Sequence, residues 1–255
     1  MDTQTLKNQS AESTNCVYSV ILPAYNEEDL LGATLADLHL AMASISCRGE
    51  IIVVDNNSSD NTRNIAQECG ARVVSESVRQ IAKARNRGAR EAQGDYLVFL
   101  DADTTLTPKL LQSAITLLEN GRYCGGGTLL SYDAKLPFLA ETLVACWNWI
   151  SKTCRFAAGS FIFCLAGGFE EIGGFDEHIY AAEEVVFSRR MKSWGKKNNM
   201  QFTIIDDQAV LTSSRKFLWY SSLRIAALLL LFTIFPWGLR YRTLCNFWYR
   251  RPPTH

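Results

Sequence analysis

Two carboxylates one residue apart close an apolar run in the first half of the chain. Residues 94–104 read Gly-Asp-Tyr-Leu-Val-Phe-Leu-Asp-Ala-Asp-Thr. Tyr96 to Leu100 are apolar, partly β-branched or aromatic, and bounded by Gly94 on one side and Asp101 and Asp103 on the other, which predicts a strand buried on both faces of a parallel sheet. The acids then stand at its C-terminal edge, where open α/β sheets bind ligands. Two carboxylates there can hold a hard divalent cation together with a phosphate. The plain alternative is an Asp-rich turn, because Asp also favours turns and caps.

Three further segments carry matching chemistry. Pro23, Ala24, Tyr25, Asn26 and Glu27 follow one apolar run, Asp55 follows another, and Arg85 belongs to a basic stretch with Lys83, Arg87 and Arg90. A carboxylate such as Asp55 accepts hydrogen bonds from a base or ribose, an aromatic such as Tyr25 stacks, and arginine meets phosphate in a fork. Together these groups describe a site for a nucleotide diphosphate. Singly, each also reads as a helix start, a turn residue or a solvated face.

The elements that position them alternate. Val17–Leu22, Ile51–Val54 and Arg72–Val74 read as strands, and Leu31, Leu35, Leu38 and Met42 give a helix one apolar face after an Asn26 cap. Gly70 ends a second helix, Ile81–Ala92 forms a third with Gly94 as its stop, and Thr107-Pro108 to Asn120-Gly121 bounds a fourth. Strands alternating with helices predict β-α-β units and a mostly parallel central sheet flanked by helices. From residue 124 to 175 the alternation stops, leaving a substrate-facing region with one strand at Phe161–Cys164. Trp147 and Trp149 lie in it and read as core fillers before sugar-stacking rings. Glu183–Trp194 is a helix, and Phe202–Ile205 and Ala209–Leu211 are short strands.

Composition narrows the class. Lys+Arg and Asp+Glu number 26 each in 255 residues, which excludes a broad electrostatic footprint for nucleic acid. Eight scattered cysteines show neither zinc spacing nor a disulfide framework and predict reduced thiols. Residues 1–15 are polar, lack an apolar signal core and read as a disordered arm, which points to the cytoplasm. The organisation expected is therefore an arm over 1–15, a catalytic domain over 16–216 and a hydrophobic, aromatic and basic tail over 217–255.

The motifs jointly resemble those of family 2 glycosyltransferases of the GT-A (Rossmann-like) fold. The resemblance covers about 17–216 and rests on Val20-Ile21-Leu22-Pro23-Ala24-Tyr25-Asn26-Glu27-Glu28, on Ile51 to Asp60, and on Ala84-Arg85-Asn86-Arg87-Gly88 followed by Phe99-Leu100-Asp101-Ala102-Asp103. Gly173-Gly174-Phe175-Asp176 and Glu183-Glu184 with Arg189-Arg190 match the family's acceptor-side segment, although the second acid of that pair is commonly Asp. Ser213-Ser214-Arg215 resembles a late segment that faces the diphosphate.

The resemblance implies an inverting, metal-dependent enzyme that uses a nucleotide-sugar, with UDP as the nucleotide by family habit. It puts Pro23, Ala24, Tyr25, Glu27 and Asp55 around the nucleoside and Arg85 near the base or phosphates. Asp101 would approach ribose and metal, and Asp103 would ligate Mg²⁺ or Mn²⁺. Glu184 would be the general base, with Asp176, Glu183 and Arg215 among the substrate-binding groups. The acceptor implied is a glycan or a lipid-linked molecule.

Two rival readings compete. Asp101-Ala102-Asp103-Thr104-Thr105-Leu106 also matches the haloacid-dehalogenase phosphatases, with Asp101 as nucleophile and Asp206-Asp207 as the late acidic pair. The other rival is a non-catalytic sugar-nucleotide-binding accessory protein. In the tail, Ile225–Leu239 is uncharged, too short to cross a bilayer at the roughly 20 residues a helix needs, and flanked by aromatics and by Arg224, Arg240 and Arg242. That pattern predicts a helical segment within 217–242 lying peripherally at the cytoplasmic membrane face, the alternative being a helix buried against the catalytic domain or a partner subunit.

Overall fold

The structure, a computed structural model, describes residues 17–249, so the arm expected over 1–15 lies outside the described residues. Strands β1 (Val17–Ala24), β2 (Arg48–Asp55), β3 (Arg72–Ser75) and β4 (Tyr96–Leu100) run parallel in the order β3-β2-β1-β4. Their side chains alternate between two cores, as a period of two dictates. Val20, Leu22, Ile51, Val53, Val98 and Leu100 pack under α1 (Leu31–Ala43), α2 (Thr62–Glu68) and α4 (Pro108–Glu119). Ile21, Ile52, Val54, Leu97 and Phe99 pack under α3 (Ile81–Glu91), α6 (Ala166–Glu171) and α7 (Glu183–Lys197). Because β1 lies between β2 and β4 while sequence runs on to either side, the chain reverses its winding there, at the edge where Ala24 pairs with Asp55.

Beyond β4 the sheet is mixed rather than mostly parallel. Strands β5 (Thr104–Thr105), β6 (Tyr123–Tyr132), β7 (Phe161–Leu165) and β8 (Gln201–Thr212) extend the order as β4-β7-β6-β8-β5, with β7 antiparallel to both β4 and β6, and β8 parallel to β6. The region expected to be irregular thus holds a ten-residue strand and a 17-residue helix, α5 (Phe138–Cys154). Three consecutive glycines hid β6, since glycine weakens a strand pattern. Here they are required: a Cβ on Gly125 would lie 2.6 Å from the Phe163 carbonyl oxygen, and one on Gly127 2.6 Å from Ala157 Cβ. The two short strands expected over 202–211 are one strand whose register jumps from Thr128–Ile205 to Leu129–Ala209, so Asp206 and Asp207 bulge outward.

The C-terminal segment is not one continuous hydrophobic helix. It comprises α8 (Arg215–Trp219), α9 (Ser222–Ile234), a 3-10 turn over Pro236–Arg240, and α10 (Asn246–Tyr249). Among the described residues no helix is long and apolar enough to cross a membrane. The segment packs back on the loop before α7. Phe232 and Cys245 form a small core with Ala181, and the Tyr180 N–H donates to the Leu239 carbonyl at 2.7 Å.

Candidate functional site

Local geometry gathers the expected residues at the C-terminal edge of β1, β2 and β4. Asn26 does not cap α1. It adopts a left-handed backbone (φ 51°), and its side-chain oxygen accepts from the Ser59 N–H at 2.8 Å, tying the β1 loop to the β2 loop. The Glu27 N–H donates to Thr62 Oγ1 at 2.7 Å, fixing the start of the same loop. The turn between Asp101 and Asp103 is pinned where Thr34 Oγ1 donates to the Ala102 carbonyl at 2.9 Å.

Two arginines organise the acids. Arg85, almost wholly buried on α3, donates to Asp101 Oδ1 at 3.0 Å, Glu183 Oε1 at 2.8 Å and the Gly159 carbonyl at 2.8 Å. Burial opposes its charge, but Asp101 and Glu183 outweigh that penalty and its pKa rises. Arg215, at the start of α8, donates to both Glu27 carboxylate oxygens at 2.5 and 2.6 Å and to Asp103 Oδ2 at 2.9 Å. Its pKa also rises, the attraction of Glu27 and Asp103 exceeding the cost of burial. Glu184 lacks such support. Burial and then repulsion from Glu183 push it up to about 8, against the pull of Arg85.

These groups line two adjoining cavities. The smaller, about 100 Å³, is bounded by Pro23, Ala24, Tyr25, Glu27, Asp103 and Arg215, with Trp219, Phe247 and Tyr249 from the C-terminal segment. The larger, about 420 Å³, has Arg85, Glu183 and Glu184 at one end. Asp101, Ile81, Lys216 and Phe247 line both, so the cavities meet beside Asp101.

Two expected site residues line neither cavity. Asp55 closes its own turn, accepting from the Ser58 N–H at 3.0 Å, and its neighbour Asn56 faces the smaller cavity instead. Asp176 pairs with Arg190 at 2.8 Å and accepts from the His178 N–H, which shapes the loop before α7. The structure adds residues that the sequence pattern did not single out. Arg79 lies over the Tyr25 ring, 3.7 Å from its centroid, and donates to the Tyr249 carbonyl at 3.0 Å. Tyr132 lines the larger cavity, its hydroxyl pushed up to about 12 by burial and by Asp103 and Asp101. Trp147 lines the same cavity and Trp149 is 68% exposed, so neither is the core filler expected. Arg79 sits in a loop, Lys216 at the end of the expected domain, and Phe247 and Tyr249 in the tail, where residue type alone gives no signal.

The donor set fits a hard cation brought in with a phosphate ligand. Among the described residues no group of three His, Cys, Asp or Glu side chains gathers in metal-holding geometry. Mg²⁺, however, is commonly held by one or two carboxylates plus substrate phosphates, and Asp101 and Asp103 supply two. The phosphatase pattern is not assembled: Asp206 and Asp207 line a separate cavity with Lys109 that shares no residue with the Asp101 cavities.

Known proteins share this fold and parts of this sequence. A dolichol-phosphate mannosyltransferase of Pyrococcus furiosus is 33% identical over 121 residues, 43% of this chain and 34% of that protein. The O-antigen chain rhamnosyltransferase WbaN of Salmonella anatum is 28% identical over 71% of this chain and 62% of its own length. The mannosyltransferase PcManGT of Pyrobaculum calidifontis, solved with GDP-Man and Mn²⁺, superposes with a TM-score of 0.61 at 18% identity over 76% of this chain and 56% of that one. The chain thus spans between a third and under two thirds of the length of these proteins, and the shared fold is α/β and GT-A-like. The sequence model of glycosyl transferase family 2 matches residues 19–162, more than half of the chain, and the protein belongs to that family.

Proposed function

We propose that the chain is an inverting, metal-dependent glycosyltransferase that moves a sugar from a nucleotide-diphosphate sugar, taken as a UDP-sugar, to an acceptor hydroxyl. The observation that carries this reading is the meeting of the two cavities at Asp101, with Asp103 on one side and Glu184 on the other. The smaller cavity takes the nucleotide, with Pro23, Ala24, Tyr25 and Glu27 around the nucleoside and Asp55 supporting their loop. Asp103 and Asp101 would hold Mg²⁺ or Mn²⁺, whose chemistry there is neutralisation of charge on the diphosphate. The Mn²⁺ complex of the Pyrobaculum relative supports that choice.

Glu184 takes the proton from the acceptor hydroxyl, and the freed oxygen attacks the anomeric carbon on the face opposite the diphosphate. Arg85 holds Asp101 and Glu183 in place, Arg215 faces the diphosphate, and Asp176 shapes the loop that leads into α7, whose first turn carries Glu183 and Glu184. Peripheral contact with the cytoplasmic membrane face belongs to the same reading. It is supported by Leu223, Leu230, Ile234 and Trp237, which are 75%, 61%, 57% and 66% exposed on or beside α9.

The test is a panel of UDP-, GDP-, dTDP- and ADP-sugars with MnCl₂, read by release of nucleoside diphosphate and by the anomeric configuration of the product. Release from one nucleotide family, with inversion, is expected. Retention of configuration, or release of inorganic phosphate, would contradict the reading.

A further inference from the structure

The larger cavity is asymmetric in a way that bears on what it receives. Its polar groups gather where it meets the smaller cavity: Arg85 bonds Asp101 and Glu183, Glu184 follows Glu183, and Tyr132 feels the charges of Asp103 and Asp101. Ser160 accepts from the Asp101 N–H through its carbonyl, Ser213 donates its N–H to the Asp103 carbonyl, Thr212 bonds Thr104, and Lys216 lines both cavities. The apolar side chains of its lining include Leu130 from β6, Trp147 from α5 and Ile225, Phe232 and Leu239 from the C-terminal segment. Those side chains offer no hydrogen-bonding group apart from the Trp147 N–H. A sugar-ring acceptor carries hydroxyls around its whole rim, and each one buried against such a wall loses its water without gaining a partner.

Charge argues further. Arg85 is already engaged by Asp101, Glu183 and the Gly159 carbonyl, so an anionic acceptor head would meet three carboxylates with Lys216 as the remaining cation of the lining. A neutral hydroxyl meets no such repulsion. It also has a use for Glu184, whereas an acceptor phosphate is already ionised and needs no base.

Size and continuity complete the case. A volume of about 420 Å³ falls in the range of roughly 300–1,000 Å³ of small-molecule sites. It holds on the order of a dozen heavy atoms, at the roughly 30 Å³ that one water fills in the liquid. Helix α9 turns Ile225 and Phe232 to the cavity and Leu223, Leu230 and Ile234 to the outside, so it is apolar on both sides.

Resting on the transferase reading above, we propose that the larger cavity is an acceptor site for an amphiphilic alcohol, a neutral hydroxyl carried directly on an apolar body of about a dozen carbons, and not for a glycan. The hydroxyl proton passes to the Glu184 carboxylate and the alcohol oxygen bonds to the anomeric carbon. The bond from that carbon to the diphosphate breaks, and the nucleoside diphosphate leaves with the electron pair.

The full chain is tested for binding of farnesol, maltotriose and farnesyl phosphate by calorimetry, with UDP and GDP binding in MnCl₂ measured separately. Farnesol is expected to bind at least tenfold more tightly than either competitor. Ile225→Trp, which fills the cavity, should lower farnesol affinity at least tenfold and leave nucleoside-diphosphate affinity unchanged, and Phe232→Ala should shift preference to a longer alcohol. Folding of both variants is checked by circular dichroism, and binding of a longer alcohol by Phe232→Ala supports the proposal even if Ile225→Trp does not fold. Presenting farnesol in solution or in phosphatidylcholine vesicles separates a dispersed from a membrane-dissolved source, and uptake from either supports the proposal. Tighter binding of maltotriose or of farnesyl phosphate, or wild-type farnesol affinity in a folded Ile225→Trp chain, overturns it. Failure of the wild-type chain to bind any nucleoside diphosphate would instead contradict the transferase reading and with it the acceptor role, whatever the farnesol result.

Discussion

Arg215 donates to Asp103 Oδ2 at 2.9 Å while it bridges both carboxylate oxygens of Glu27, so a guanidinium rests against the carboxylate proposed to hold a metal. The side chains are 15%, 7% and 11% exposed for Arg215, Asp103 and Glu27, which makes this a buried ion network and not a surface pair. Arg215→Met leaves two carboxylates without their cation. A loss of about 3–5 kcal/mol of stability is expected, the usual cost of breaking a buried pair from one side. Thermal denaturation should show that loss, with part of it recovered in MnCl₂ as the cation replaces the missing charge. A variant as stable as wild type would show that the network carries little energy.

Glu184 gives a pH signature. With its pKa at about 8 in the free chain, kcat/KM should climb with pH through that value as the base ionises. Glu184→Gln should remove this limb and slow turnover by roughly 10²–10⁴-fold. Stability should move the other way. The folded pKa lies above the unfolded one, so between the unfolded carboxylate pKa and about 8 the folded chain binds more protons and stability falls as pH rises. Glu184→Gln should therefore gain on wild type in denaturant titrations at pH 8 relative to pH 5. An unchanged pH–rate profile in the variant would move the base elsewhere.

The glycine run of β6 sets a fold prediction. A Cβ on Gly126 would lie 2.5 Å from the Phe163 ring, and one on Gly125 2.6 Å from the Phe163 carbonyl oxygen. Either glycine changed to alanine should cost about 1–3 kcal/mol by overpacking. Chemical denaturation measures it, and a neutral effect would mean that β6 and β7 separate more easily than this packing allows.

Membrane contact is tested by vesicle sedimentation. Changing Leu230, Ile234 and Trp237 together to serine should abolish association with anionic vesicles and leave nucleoside-diphosphate binding intact. No association of the unchanged chain would remove the membrane part of the account.

The first half of the fold was legible because each strand reads as a near-continuous apolar run and each helix as an apolar stripe. The parallel pairing of β1 to β4, the helix over 81–91 and the acid pair after β4 follow from those patterns, whereas the strand order comes from the structure. β6 was not legible, because its strand character resides in close packing of three glycines against β7 and β8, which leaves no side-chain pattern. α5 was obscured by its aromatics, Phe138, Trp147 and Trp149, which put large apolar groups on exposed and cavity-facing sides alike. Within the site, Asp101, Asp103 and Arg85 stood out by type and by their place in the pattern and Glu184 only through the family resemblance, and all four line the two cavities. The pairing of Arg215 with Glu27 spans 188 positions, and the closure of both cavities by Phe247 depends on how the tail folds back, so neither has a local signal.

The central claim is a nucleotide-diphosphate site that works with a divalent cation on Asp103. Thermal shift with UDP, GDP, dTDP and ADP, each with and without MnCl₂, tests it on wild type and on Asp103→Ala. One diphosphate at about 100 times its dissociation constant should stabilise wild type by roughly 2.7 kcal/mol only when Mn²⁺ is present. Asp103→Ala should stay folded and lose that metal-dependent increment. A wild-type chain that no nucleoside diphosphate stabilises, or a folded Asp103→Ala chain with the full increment, would contradict the account.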